Sequence, residues 1–204
     1  MKSLILGGDS FLGKALRDLL GEECFYTSRH LQQDSIYFDL LIPNFTVFRP
    51  YLQDLDVVYL TAAITSMADC QEDVQKSSLI NVESTIEAIE YFSSFGVYCV
   101  FLSSTAVFSK FCSNRSEYSK TQPQSIYGQQ KNRVEDHIRM SSPKNACIIR
   151  MNKIWGLESS IFFSWYMSVL KSERPRVFNE KRVAPISLST AVRYLISIGH
   201  SKPL

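Results

Sequence analysis

The chain has 204 residues, 45% hydrophobic and 21% charged, which suits one globular α/β domain with a real core. Its formal net charge of +2 comes from interspersed signs and gives no electrostatic case for binding nucleic acid or an anionic membrane. No apolar run approaches the roughly 18 residues of a membrane span, so we expect a cytoplasmic protein. Its five cysteines are scattered and lack the C-x-x-C spacing of a metal or redox site, so we expect reduced thiols and no bound metal.

Short apolar runs of strand length recur along the chain, and segments with helical spacing lie between them. This alternation predicts an α/β fold with a doubly wound, Rossmann-type parallel sheet, and it stops near residue 152. We therefore expect a Rossmann-type domain over 1–151 and a small tail over 152–204. The predicted strands are 2–6, 24–27, 36–38, 57–61, 97–103 and 146–151, and the predicted helices are 11–20, 79–92, 125–140, 161–171 and 189–198.

The first strand runs into the turn G-G-D-S-F-L-G and then into a helix, which is the context of a phosphate-binding glycine motif. Gly7 would allow the tight turn, and Gly13 would let helix and strand approach closely. The N–H groups at the helix start, at Phe11 and Leu12, would hold a diphosphate. Ser10 stands where a second glycine is usual. Its side chain leaves less room for the diphosphate to approach the turn, although its hydroxyl could donate a hydrogen bond to the diphosphate. The alternative is a glycine-rich turn without a ligand.

The second strand is followed by T-S-R, where many dinucleotide binders carry an acid for the ribose hydroxyls. A guanidinium at Arg29 suits a 2′-phosphate, which favours NADP over NAD as cofactor. The alternative is an ordinary solvated arginine. Asp39, after the short third strand, would accept a hydrogen bond from the adenine amino group beside Leu40, or it caps a turn.

Hydroxyl side chains end the most hydrophobic strand, at S-S-T (103–105), and the carboxyl ends of strands are where a doubly wound sheet opens its ligand crevice. Further on, Tyr127 and Lys131 open a helix, and their spacing places phenol and ammonium on one face. Such a pair suits proton transfer to or from a carbonyl or alcohol oxygen, because a nearby ammonium lowers the pKa of a tyrosine. The spacing alone is weak, and the order of the motifs carries the argument.

With these motifs in this order, the chain resembles the extended short-chain dehydrogenase/reductase superfamily, especially the sugar-nucleotide epimerases and dTDP-4-dehydrorhamnose reductases. The resemblance runs through about three quarters of the chain. Its stretches are 4–13, 56–65 (DVVYLTAAIT), 81–82 within LINVEST, 100–108 (VFLSSTAVF), 125–131 (SIYGQQK) and 149–156 (IRMNKIWG).

The resemblance implies roles for individual residues. Tyr127 would be the general acid/base, Lys131 would lower its pKa and bind the nicotinamide ribose, and Ser104 would hydrogen-bond the substrate oxygen. Thr105 is the less favoured hydroxyl for that contact. The tail over 152–204 corresponds to the family's substrate lobe and is much shorter than usual.

The resemblance assigns roles to four further residues. Ala62 and Ala63 would pack beside the cofactor or are ordinary core residues. Asn81 is expected to support the strand and helix architecture. Arg182 would meet a nucleotide phosphate of the substrate or is a solvated arginine.

Two functions are compatible with these features. The first is an NAD(P)-dependent reductase or epimerase that acts on a nucleotide-activated sugar or a related carbonyl compound, with NADP preferred to NAD. The second is a catalytically idle dinucleotide-binding module that binds a protein partner. Ser10 and the short tail favour the second function, whereas the intact Tyr127, Lys131 and Ser104 favour the first. The resemblance leaves a homodimer open.

Overall fold

The computed structural model describes residues 1–30, 32, 34–109, 115–141, 145–156, 160–174 and 184–203, with the backbone alone at 160–162. Its strands are β1 (Ser3–Leu6), β2 (Cys24–Ser28), β3 (Ile36–Tyr37), β4 (Val57–Leu60), β5 (Tyr98–Ser104), β6 (Ala146–Met151), β7 (Ile154–Trp155) and β8 (Ile186–Ser187). The first six form one parallel sheet in the order β3-β2-β1-β4-β5-β6, and β7 pairs with β8 in parallel. The predicted doubly wound Rossmann-type sheet is confirmed.

Helices cover both faces of this sheet. The α-helices are α1 (Phe11–Leu20), α2 (Met67–Glu72), α3 (Val74–Ser78), α4 (Ser84–Ser94), α5 (Ile126–Ser141), α6 (Ser160–Leu170) and α7 (Leu188–Ser201). Single turns of 3₁₀-helix lie at Gly21–Glu23, Phe45–Phe48 and Thr105–Val107, and a π-helical turn lies at Leu79–Glu83.

The central strands are apolar on both faces because each face is covered. In β1, Leu4 and Leu6 belong to the cluster that includes α4 and α5, whereas Ile5 belongs to the cluster that includes α1 and α7. Such strands read as continuous hydrophobic runs rather than as alternating ones. Helix α7 lies beyond residue 151 and still packs against this sheet, with Ala191 and Leu195 fully buried.

Two parts of the chain differ from the sequence expectations. The predicted helix 79–92 begins as a π-helical turn before α4. Helices α2 and α3 were not predicted, because at six and five residues they are too short to show a helical period. Each nevertheless starts with a capping side chain, Ser66 and Asp73 respectively. The sequence also predicts a polar surface loop over 109–124 and an extended stretch around residue 177. Residues 110–114 of that loop and residue 177 lie outside the described residues.

The sheet order reverses between β1 and β4, which are hydrogen-bonded neighbours. In open α/β sheets, ligands bind outside the carboxyl ends of the strands at such a reversal. The glycine turn follows β1, and the hydroxyl-bearing S-S-T segment ends β5 at the same edge. Within the described ranges, no helix is long and apolar enough to cross a membrane.

Candidate active site

The glycine turn after β1 is shaped by two contacts that leave no room for side chains. Gly7 has a φ of 101°, and a Cβ on it would lie 2.6 Å from the backbone nitrogen of Ala62. A Cβ on Gly13 would lie 2.2 Å from the carbonyl oxygen of Gly7. Glycine is therefore required at both positions, for the tight turn and for the close approach of α1 to β1.

Ser10 is the N-cap of α1. Its hydroxyl accepts a hydrogen bond from the N–H of Gly13 at 3.0 Å and donates one to the hydroxyl of Thr61 at 3.3 Å. To donate to a diphosphate, the Ser10 hydroxyl would have to give up its hydrogen bond to Thr61, so that contact stays a prediction. The N–H groups of Phe11 and Leu12 open the helix and have no acceptor among the described residues, so they are the groups left for an anion.

A cleft of about 300 Å³ opens beside this turn, between the ends of β2 and β4 and the segment after β3. Seven of the residues predicted to bind a cofactor line it, namely Gly7, Ser10, Arg29, Asp39, Leu40, Ala62 and Ala63. The other lining residues have no role predicted from the sequence; they are Asp9, Thr27, Ser28, Phe38, Ile64 and Ile80. Their position in the sequence could have indicated them. Each ends or directly follows a predicted strand, or lies within two residues of a residue to which the sequence assigned a role.

Side chains of the cleft wall are fixed by hydrogen bonds to nearby backbone. The Thr27 hydroxyl accepts from the N–H of Gly7 at 2.9 Å, and the Ser28 hydroxyl accepts from the N–H of His30 at 2.8 Å. Asp39 accepts from the N–H of Leu41 at 2.9 Å, so it caps a turn while it lines the cleft. Asp39 can therefore cap this turn and still be placed to accept a hydrogen bond from an adenine amino group, the two roles considered for it from the sequence.

The structure brings Tyr127, Lys131 and Ser104 together at the carboxyl end of β5, outside the lining of the cleft. A Cβ on Gly128 would lie 2.3 Å from the carbonyl oxygen of Ala106, so α5 approaches the turn after β5 as closely as glycine permits. The Nζ atom of Lys131 lies 5.9 Å from the centre of the Tyr127 ring. Phenol, ammonium and hydroxyl thus form one cluster.

Burial has the largest effect on the pKa values of Tyr127 and Lys131. Burial raises the pKa of Tyr127 to about 12, and its hydrogen bond with Ser104 offsets only part of that rise. Lys131 is not among the groups that shift the Tyr127 pKa here, so the lowering expected from Lys131 stays a prediction. Burial also lowers the pKa of Lys131 to about 8, although the nearby Cys70 and Glu135 act in the opposite direction. At neutral pH the phenol holds its proton and the ammonium is mostly charged.

Asn81 connects the cleft wall to the helix that carries Tyr127. Its side-chain oxygen accepts from the N–H of Ile64 at 2.8 Å, and its Nδ2 donates to the carbonyl of Ile64 at 2.9 Å. The same Nδ2 donates to Oε1 of Gln130 at 2.8 Å, one residue before Lys131. This arrangement agrees with the architectural role expected for Asn81.

Glu135 connects α5 to β5 and β6 through buried hydrogen bonds. The sequence did not indicate a role for it. It is fully buried and accepts from the Ser103 hydroxyl at 2.5 Å, from Arg139 at 2.6 Å and from Arg150 at 2.7 Å. Burial acts to raise the pKa of Glu135, but the hydrogen bonds from these three residues outweigh it and hold the pKa below its ordinary value. The sequence could have indicated Glu135 by its position, because it is an acid four residues after Lys131 and so lies on the same face of the helix.

The remaining predicted residues have simpler outcomes. Thr105 begins the 3₁₀ turn directly after Ser104, and its carbonyl accepts from the N–H of Phe108 at 3.2 Å. Arg182 lies outside the described residues. No group of three or more His, Cys, Asp or Glu residues in the described part of the chain is placed to hold a metal ion.

Comparison with curated proteins finds one weak relative. The chain is 29% identical over 151 residues to the spore coat polysaccharide biosynthesis protein SpsK of Bacillus subtilis (strain 168). This similarity covers 72% of the chain and 53% of SpsK, so it spans about half of that protein's length.

Solved structures share the fold at low sequence identity. A hypothetical dTDP-4-dehydrorhamnose reductase from Sulfolobus tokodaii superposes with a TM-score of 0.86 at 22% identity, covering 100% of this chain and 74% of that one. A dTDP-4-dehydrorhamnose reductase from Bacillus anthracis in complex with NADP gives a TM-score of 0.81 at 19% identity, covering 99% and 72%. At these identities the likeness shows the fold alone.

The family comparison covers nearly the whole chain. The model described as "RmlD substrate binding domain" matches residues 1–202. That match agrees with the glycine turn, the sheet order and the Tyr127–Lys131–Ser104 cluster, and it confirms the resemblance found in the sequence. The chain belongs to the RmlD substrate binding domain family.

Proposed function

We propose that this chain binds NADP or NAD and acts as a reductase or epimerase on a nucleotide-activated sugar or a related carbonyl compound. The observation that carries the proposal is the cluster of Tyr127, Lys131 and Ser104 at the same sheet edge as a cleft beside a glycine turn. Solved dTDP-4-dehydrorhamnose reductases with this fold support the reductase assignment.

The residues of the cleft fit the adenosine and diphosphate end of such a cofactor. Glycine at positions 7 and 13 allows backbone to approach closely, and the first N–H groups of α1 have no acceptor in the described chain. Arg29 at the rim would take a 2′-phosphate, and Ala62 and Ala63 would pack beside the cofactor. Asp39 and Leu40 line the part of the cleft assigned to the adenine.

The catalytic cluster would handle the proton that accompanies hydride transfer. The bound nicotinamide would supply or accept the hydride. Tyr127 holds its proton at neutral pH, so it would donate that proton to a carbonyl oxygen during reduction and recover one from solvent. Ser104 would hydrogen-bond the same oxygen, and Lys131 would bind the nicotinamide ribose and stabilise the phenolate that forms.

The proposed substrate class follows from the family. A nucleotide-activated sugar related to dTDP-4-dehydrorhamnose is the first candidate, with Thr105 and Arg182 as substrate contacts. The alternative is a catalytically idle module that binds a protein partner. The similar proteins described above are named as a biosynthesis protein and as reductases, and these names do not support that alternative. A homodimer and the division of the chain at residue 151 stay predictions.

Replacement of Tyr127 by phenylalanine tests the proposed chemistry. We expect Tyr127→Phe to lower turnover of dTDP-4-dehydrorhamnose with NADPH by at least about 100-fold, because the transferable proton is lost. The dissociation constant of NADPH should change less than about threefold. The matched control is Tyr194→Phe on α7, an exposed tyrosine, which should retain wild-type turnover. Wild-type turnover in the Tyr127 variant would refute the assignment.

A further inference from the structure

We propose that Asp9 is a specificity-determining residue that weakens binding of a 2′-phosphorylated cofactor and so brings the affinity for NADP closer to that for NAD. This inference rests on the proposed function, since it concerns the same cleft. It begins from an anionic side chain in the glycine turn, at a site that would otherwise attract anions.

Backbone contacts place Asp9 beside the end of β2. The N–H of Gly8 donates to the carbonyl oxygen of Thr27 at 2.9 Å, and the N–H of Gly7 donates to the Thr27 hydroxyl at 2.9 Å. The turn is therefore fastened to the strand end that leads into Arg29. Asp9 and Arg29 carry opposite charges and line the same cleft. The proposed function would place the adenosine ribose of the cofactor in this cleft.

The charge of Asp9 is not neutralised within the described chain. The hydrogen bond found for its carboxylate comes from Nε2 of Gln32, a neutral group, at 3.4 Å. Among the described residues, no ion pair joins Asp9 to a cation. Asp39, the other acid of the cleft, differs because its carboxylate accepts from the N–H of Leu41 and caps a turn.

A full negative charge at Asp9 would affect the two cofactors differently. The 2′-phosphate of NADP carries roughly −1.5 to −2 charge near pH 7, whereas the 2′-hydroxyl of NAD is neutral and can donate a hydrogen bond to a carboxylate. Arg29 would attract the phosphate and Asp9 would repel it. The diphosphate is common to both cofactors, so its interaction with Asp9 cancels in the ratio of the two dissociation constants.

The experiment measures the ratio of the dissociation constants of NADH and NADPH by nicotinamide fluorescence. Asp9→Asn keeps the shape of the side chain and its acceptor for Gln32 while removing the charge. We expect this variant to shift the ratio about three- to tenfold toward NADPH, and the shift should shrink at high ionic strength. Arg29→Ala should shift the ratio in the opposite direction.

The matched control is Asp18→Asn, which makes the same charge change on the exposed side of α1, away from this cleft. This control should leave the ratio unchanged. An Asp9→Asn variant that binds both cofactors with the wild-type ratio would overturn the inference and leave the proposed function standing. A wild-type protein that binds neither cofactor would overturn the proposed function and the inference together.

Discussion

Lys131 is an almost fully buried lysine, 4% exposed, and its ammonium lies 4.8 Å from the centre of the Phe101 ring. Burial lowers its pKa to about 8, against the influence of Cys70 and Glu135. Burying a charge in this way weakens the folded state, so the position is better explained by chemistry than by stability.

Removal of this charge should stabilise the protein. We expect Lys131→Met to raise the free energy of unfolding at pH 7 by about 1–3 kcal/mol, since the depressed pKa reflects a cost of that order, and to abolish turnover. The control is Lys76→Met on α3, an exposed lysine, which should change stability by less than about 0.5 kcal/mol. Urea unfolding curves measure both variants, and a clear loss of stability in Lys131→Met would contradict the account.

The Lys131 side chain contributes a pH dependence of stability with a definite sign. Between about pH 8 and the ordinary lysine pKa near 10.4, the unfolded chain holds the Lys131 proton more tightly than the native state does. Stability from this group therefore rises with pH across that window. In urea unfolding, the stability that Lys131→Met gains over the wild type should therefore shrink as the pH rises from about 8 to about 10. The difference between Lys76→Met and the wild type should stay constant over the same range.

Among the elements, β5, α5 and β6 are held together by one buried carboxylate. In the sheet register Ser103 stands opposite Arg150, and both donate to Glu135 on α5. This fixes the helix that carries Tyr127 against the strand that ends in Ser104. The sequence predicted each element separately, but it could not predict this connection, because the register of two strands brings distant partners together.

Neutralising the buried carboxylate should therefore weaken the fold. We expect Glu135→Gln to lower the free energy of unfolding by about 3 kcal/mol, because Arg150, with only 12% of its side chain exposed, would lose its partner. The control is Glu83→Gln, which breaks an exposed ion pair with Arg133 at 3.4 Å and should cost less than about 1 kcal/mol. Equal effects of the two variants in urea unfolding would show that the buried network adds no stability.

For the whole molecule, the alternation of apolar runs and helical segments was enough to predict the doubly wound sheet. The glycine turn and the Tyr127–Lys131 spacing also located the two halves of the candidate site. The packing of α7 was not predictable, because a helical period reveals an apolar face but not its partner. Likewise, the raised pKa of Tyr127 depends on burial by residues distant in sequence, which a local motif does not contain.

The central claim is that this Rossmann-type fold holds a nicotinamide dinucleotide. Titration of the purified protein with NADPH and NADH, followed by nicotinamide fluorescence and by the thermal unfolding midpoint, tests it most directly. Saturating binding should raise the midpoint, because a ligand at about 100 times its dissociation constant stabilises the native state by about 2.7 kcal/mol. An unchanged midpoint and unchanged fluorescence with both dinucleotides would contradict the account.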